Sequence, residues 1–355
     1  MKIAVVGAGH GGLTAAAEQT LAGHEVRLLE SPDFAEAFAP VRESREITLV
    51  GAGRVGTAHL AMATHDPAEA VPGAEVVLVI APSVAQEPFA RLIGPYLEDG
   101  QYVFLLPGGF GSLVFSRILK QLGIKKDLVF GESATLPYGA RRSGPSEVAV
   151  YIHTICNPFA ALPASATSRA AALLRQLYPE ISEVGNVLDV ALDNTNPCVH
   201  PVPTLLSASR IEHSGGNFWL YREAMTPSTW KVMRAVDAER VTIRTAFGLR
   251  PPHYELPEEV GKVFGGQFGP RGLEAGLQMK GPKALNERYL TEDVPMGLVL
   301  YSSLGRVAGV PTPKIDAVVE LVSSLLGVDM WATGRTLASL GLEGVSAEQL
   351  LQMLG

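Results

Sequence analysis

Cysteine is almost missing from these 355 residues: there are two, Cys156 and Cys198. They stand far apart with no C-x-x-C spacing, which excludes a disulfide framework and a zinc site, so no metal is expected. Free thiols suit a reducing cytoplasm, which is the expected location. Charged residues are scarce too, at 18%, and their formal balance is −7. That balance gives no reason to expect nucleic acid or an acidic membrane surface as a partner. No run reaches the ~18–20 apolar residues of a membrane span. The short apolar run after Met1-Lys2 breaks at once into glycines, unlike a secretory signal. With 47% apolar residues the chain can bury a sizeable core, and its length suggests two domains.

Glycine is plentiful and patterned. In KIAVVGAGHGGLTAAAEQTLAGHEVRLLE, Gly7, Gly9 and Gly12 follow G-x-G-x-x-G. A dinucleotide site needs a strand, a glycine turn, a helix, and a second strand ending in an acid. Residues 2–6 read as the strand and residues 11–22 as the helix, stopped by Gly23. HEVRLLE then ends in Glu30, a carboxylate placed to accept from ribose hydroxyls and repel a 2′-phosphate. NAD(H) is therefore expected in preference to NADP(H), with its pyrophosphate at the helix N-terminus beside Gly9 and His10.

A second match, Gly51, Gly53 and Gly56 in ITLVGAGRVGTAHL, fails the same test. Asp66-Pro67 with Glu69 reads as a new helix start: a cap, a proline at the first position and a capping-box acid. Too few residues remain after Gly56 for the required helix, and the next strand carries no acid at its end. Residues 46–63 are expected to form a glycine-containing β-hairpin after the second strand.

Beyond it, strands and helices alternate: AEVVLVIAP, a helix over 84–97, QYVFLLPGG, a helix over 112–122, and DLVFGES. The fold class expected is α/β, a Rossmann-type doubly wound parallel sheet. Ligands bind beyond the carboxyl ends of such strands, which brings Pro82, Pro107 and Gly108 to the cofactor side. Gly108 and Gly109 either let the backbone approach the nicotinamide half or form an ordinary turn. A strand over 148–155, a helix over 165–178 and the strand ISEV complete a domain of residues 1–185. Residues 186–355 change character to an all-α domain. Its helices are capped at Thr226-Pro227 and Thr312-Pro313, stopped at Gly248 and Gly327, and opened again at Ser346 with Gln349 in the capping-box position.

Two segments of that domain carry candidate chemistry. In DNTNPCVHPVPTLL, Asn196 and His200 are spaced to share a helix face, and Pro201 and Pro203 interrupt the helix. His200 either exchanges protons near neutral pH or simply satisfies the kinked backbone. In NERYLTEDVPMGL, Glu287, Arg288, Glu292 and Asp293 surround a tyrosine. That cluster is either a carboxylate-binding group or a solvated charged loop.

These segments, with GAGHGGLTAAA, ESATLPYGAR and RYLTEDVPMGLVLYSSLGRVAGVPTPKIDAVVEL, together resemble the opine dehydrogenase family, the octopine/nopaline group, over nearly the whole chain. The resemblance implies an NAD(P)H-dependent enzyme that reduces the imine of an amino acid and a 2-oxo acid to a secondary amine dicarboxylate. It places the catalytic histidine on His200, its aspartate partner on Asp293, the preceding asparagine on Asn196 and the substrate arginine on Arg288. Pyruvate or a near relative is the 2-oxo acid expected. His10 departs from the asparagine common in relatives. Two other readings stay open: a 2-oxo or 3-hydroxy acid reductase using Lys280 or Lys283, and a non-catalytic NADH sensor. A homodimer through the helical domain is also expected.

Overall fold

The computed structural model describes residues 1–258 and 272–355. The chain divides into two compact units, residues 1–190 with Gly355, and residues 191–354. Among the described residues no helix is long and apolar enough to cross a membrane.

The first unit contains twelve strands. They are β1 Lys2–Val6, β2 Glu25–Leu29, β3 Glu46–Gly51, β4 Gly56–His59, β5 Met62–Thr64 and β6 Val76–Val79, then β7 Tyr102–Leu105, β8 Val129–Ser133, β9 Tyr138–Arg142, β10 Glu147–His153, β11 Asn157–Leu162 and β12 Ile181–Glu183. Eight form one sheet in the order β12-β11-β8-β7-β6-β1-β2-β5. All its pairs are parallel except β11 with β8. The central β6 is buried at every residue, as a strand covered on both faces should be.

The remaining four strands make a second sheet, β4-β3-β10-β9. Its existence explains the composition of helix His10–Leu21. Residues Gly11 to Gln19 are all buried, and Ala15, Ala16 and Ala17 are fully enclosed. The helix packs on β1 and β2 on one side and on β3, β4 and β9 on the other. A helix covered on both sides has no solvated face to show, so small residues fill it in place of an amphipathic repeat, and its buried Glu18 and Gln19 are bonded to His153 and Leu177 O.

The sequence expectations need four corrections here. The hairpin is real but spans β3 and β4 only; residues 62–64 leave it to pair with β2 in the large sheet. Helix Ala35–Ser44 separates it from β2. The strand expected at 148–155 is β10, which belongs to the second sheet, and β9 and β11 were not anticipated. Asp66 caps helix Pro67–Ala70 through Ala68 N–H at 2.8 Å. Glu69, however, accepts from the Thr64 hydroxyl at 2.6 Å rather than closing a capping box.

The described part of the second unit is helical, organised on helix Pro227–Ala246. Thr226 caps it through Thr229 N–H, as its sequence predicts. Four charged side chains of this helix, Asp237, Glu239, Arg240 and Arg244, are buried and paired. Arg244 meets Asp193 at 2.7 Å, and Arg240 meets Asp237 at 2.7 Å while donating to Leu192 O. Glu239 accepts from the Lys314 and Ile315 N–H groups and so caps helix Pro313–Leu326. Ser346 and Gln349 form the expected reciprocal capping box.

Candidate active site

In the first unit, the turn after β1 shows why glycine is needed. Gly7 has φ +101, and a Cβ there would lie 2.5 Å from Ile80 O; at Gly12 it would lie 1.7 Å from Gly7 O. Both positions are closed to any side chain by the protein itself. Gly9 differs. Its φ of −67 suits any residue, and a Cβ would meet no protein atom within 4 Å. The helix that begins at His10 has no side-chain cap and no acid in its first turn. The positive dipole end of the helix therefore favours an anion at this turn. These features fit a dinucleotide pyrophosphate.

Glu30 lies at this turn and is 7% exposed. Its two carboxylate oxygens accept from Ala8 N–H at 2.6 Å and Ser31 N–H at 2.7 Å. Burial raises its pKa, and the two N–H groups work against that rise. Each oxygen keeps a second lone pair, so a further hydroxyl donor can be accepted. Pro82 and Pro107 follow β6 and β7 at the same carboxyl edge of the sheet. Gly108 has a reason internal to the protein: a Cβ there would lie 2.3 Å from Glu132 Oε2. Glu132 is fully buried and caps helix Gly111–Gln121 by accepting from Phe110 N–H and Ser112 N–H.

The second glycine pattern also has internal reasons. Gly51, Gly53 and Gly56 all have positive φ, at +97, +84 and +145. A Cβ on Gly51 would lie 2.2 Å from Val150 O, and one on Gly53 would lie 2.6 Å from His153 Nε2. The hairpin turn and its packing on β10 account for all three.

In the second unit, the segment 191–206 is held by Tyr301, whose hydroxyl donates to Ala191 O at 3.1 Å and to Asn194 O. Asn194 Oδ1 accepts from Asn196 N–H, starting the short helix Asn196–Val199. Pro201 then ends the hydrogen-bond ladder, and His200 sits at the break before helix Pro201–Leu206. Its N–H still donates to Asn196 O at 2.9 Å, so the two residues lie one turn apart as expected.

His200 Nδ1 donates to Asp293 Oδ2 at 2.8 Å across 93 residues of sequence. Both side chains are largely buried, at 14% and 16% exposure. Burial pushes the Asp293 carboxyl above the usual aspartate range, opposed mainly by His200. Asp293 opens a π-helical turn, Asp293–Leu298, between helices Arg288–Thr291 and Val299–Ala308. Such turns recur at functional sites. One freed carbonyl, Pro295 O, accepts from Arg335 N–H at 2.8 Å. The turn approaches the histidine segment closely because Gly297 has no side chain: a Cβ there would lie 2.3 Å from Pro197 Cγ.

Two tyrosines complete the surroundings of His200. Tyr289 stacks on the imidazole with ring centres 4.3 Å apart and planes 15° from parallel. Tyr221 Oη lies 3.1 Å from Nε2 and belongs to another π-helical turn, Leu220–Ala224. Tyr221 carries no sequence signal; Tyr289 is the tyrosine within the charged cluster of NERYLTEDVPMGL. Arg288 is exposed, with Nε bonded to Glu292 one turn on. The side-chain amide of Asn196 makes no hydrogen bond among the described residues. Lys280 Nζ lies over the Trp219 ring at 5.1 Å, and the backbone N–H of Lys283 donates to Glu287 Oε1.

The family model described as NAD/NADP octopine/nopaline dehydrogenase, alpha-helical domain, matches residues 183–326. An opine dehydrogenase of Arthrobacter sp. (strain 1C) is 37% identical over 97% of this chain and 96% of its own. A vitopine synthase of Allorhizobium ampelinum is 28% identical over 99% of each. Among solved structures, an octopine dehydrogenase with NADH and pyruvate superposes with a TM-score of 0.74 at 20% identity, covering 97% of this chain and 96% of that one.

Proposed function

The chain belongs to the opine dehydrogenase family of NAD(P)-dependent oxidoreductases, and from that premise we propose that it joins an amino acid to a 2-oxo acid, pyruvate or a near relative, and reduces the resulting imine. The product is a secondary amine dicarboxylate. The observation that carries this reading is the His200–Asp293 pair, a buried acid–base unit with one imidazole nitrogen turned away from its carboxylate. Gly7, Gly9, His10, Gly12 and Glu30 would hold the dinucleotide, with Pro82, Pro107 and Gly108 lining its nicotinamide side. Bound NADH supplies the reducing equivalent.

In this scheme the imidazolium form of His200, bonded to Asp293, polarises the ketone oxygen as the amine attacks. It then supplies the proton with which water leaves the carbinolamine. Asp293 fixes the ring orientation and stabilises the imidazolium. Arg288 keeps its terminal guanidinium nitrogens for a substrate carboxylate, while Glu292 holds its Nε. Asn196 offers an amide with no hydrogen bond among the described residues, one turn from the imidazole. Overall the reaction consumes one proton and releases one water.

The test is NADH consumption, followed by absorbance, with pyruvate in the presence and absence of a panel of L-amino acids. Turnover that requires both substrates is the expected outcome. Turnover with the 2-oxo acid alone would point to a hydroxy acid reductase, and no turnover with any pair would leave the sensor reading ahead.

We further propose that NADH is preferred over NADPH. Glu30 is pinned by two backbone donors and cannot swing away from a 2′-phosphate, which would meet a like charge. The expected result is a lower kcat/KM with NADPH, and a Glu30→Gln variant in which that penalty shrinks. Equal use of the two cofactors by the wild-type enzyme would count against this placement of Glu30.

A further inference from the structure

The imidazole of His200 is engaged at both nitrogens. Asp293 takes Nδ1 at 2.8 Å, and Tyr221 Oη lies 3.1 Å from Nε2. Nε2 is the nitrogen left for exchange with anything beyond the pair, and a phenol already stands on it. The tyrosine is only 8% exposed, on its own π-helical turn. Tyr289, stacked on the ring face, restrains the imidazole from tilting away. When the imidazole is neutral with its hydrogen on Nδ1, Nε2 is an acceptor and the Tyr221 hydroxyl donates to it. When the ring is an imidazolium, Nε2–H donates and the tyrosine oxygen accepts. The contact therefore survives either protonation state with donor and acceptor exchanged.

Resting on the condensation reading above, we propose that Tyr221 is a proton relay, the group through which His200 passes its proton to the substrate oxygen. At the carbinolamine, the phenol hydrogen goes to the hydroxyl oxygen as the C–O bond breaks, and the bonding pair leaves with water. The nitrogen lone pair forms the C=N bond of the iminium. The tyrosine oxygen takes the Nε2 proton in the same step, which leaves a neutral imidazole with Nδ1–H still on Asp293. One positive charge has moved from the ring to the iminium. The charged groups around this path are Asp293, Glu292 and Arg288 on the histidine side. Arg222 and Glu223 flank Tyr221 on its turn, the first over the Trp219 ring and the second held by Arg210 at 2.8 Å.

Two substitutions test the relay in the full-length enzyme. Tyr221→Phe keeps the ring and removes the hydroxyl. It should lower kcat by about 100-fold, with NADH affinity and melting temperature close to wild type. Fluorotyrosine in place of Tyr221 keeps the hydroxyl but makes it more acidic. A stronger donor favours the neutral, accepting form of Nε2, so the alkaline limb of the kcat profile should move to lower pH. A folded Tyr221→Phe enzyme with wild-type kcat and pH profile would overturn the relay. So would an unmoved limb in the fluorotyrosine enzyme, which decides the matter if the phenylalanine variant does not fold. Failure of the condensation reading shows separately, in the wild-type enzyme, as NADH consumption that needs no amine.

Discussion

Replacing His200 by alanine is expected to lower turnover about 100-fold or more, the usual loss when a positioned acid–base group is removed, while NADH affinity stays within a few-fold. Two features of the structure separate these effects. The imidazole is held by Asp293 and Tyr221, both in the helical unit, whereas Gly7, Gly9, Gly12 and Glu30 lie in the first unit. The side chain also lies at a break between two short helices rather than inside the core, so its removal leaves the ladder of neither helix incomplete. Asp293→Asn should give a smaller loss, because a carboxamide oxygen can still accept from Nδ1–H but brings no negative charge to stabilise the imidazolium. Steady-state kinetics with both substrates, alongside NADH titration of each variant, checks the pair. Wild-type turnover in His200→Ala would remove this residue from the chemistry.

The second large effect separates the two glycine patterns by their opposite signatures. Gly9→Ala should leave the melting temperature unchanged, since its φ of −67 suits alanine and the added Cβ meets no protein atom within 4 Å. It should nevertheless weaken NADH binding at least ~10-fold, because the methyl intrudes where the pyrophosphate must approach the backbone. Gly53→Ala should do the reverse. An alanine at φ +84 costs about 1–2 kcal/mol. Its Cβ also lies 2.6 Å from His153 Nε2, which is bonded to Glu18 at 3.0 Å. The melting temperature should fall by several degrees while NADH affinity of the folded protein stays put. Loss of affinity in Gly53→Ala with none in Gly9→Ala would reverse the assignment of the two patterns.

How much of this was legible depends on how local each signal is. The first glycine turn, its helix and Glu30 lie within thirty residues, and strand, turn and acid each have their own chemistry, so they could be read directly. The caps at Thr226 and Ser346 were legible for the same reason, whereas Thr312 makes no capping bond and Glu239, from another helix, takes that place. The second sheet was not. Its β3–β10 pairing joins residues about a hundred positions apart, and nothing in either strand names its partner. Nor does the alanine-rich helix between the sheets announce that both its faces are covered. The His200–Asp293 pair is the extreme case: spacing offered two candidate segments without joining them, and only the family resemblance paired the residues. Tyr221 was invisible because a lone tyrosine in NFWLYREAM is indistinguishable from a core residue until the turn that carries it is seen.

The wide turn at Asp293–Leu298 has a genetic corollary. It contains one residue more than an α-helical turn needs, set between two regular helices. Losing a single codon there would let the helix run through without interruption. Every side chain upstream would then be rotated by about 100° relative to the helix that follows. Asp293 and Tyr289 would swing off the imidazole together, although no residue of the site had itself been exchanged. For this enzyme a frame-preserving deletion in that turn would thus disarm the site without exchanging any of its residues.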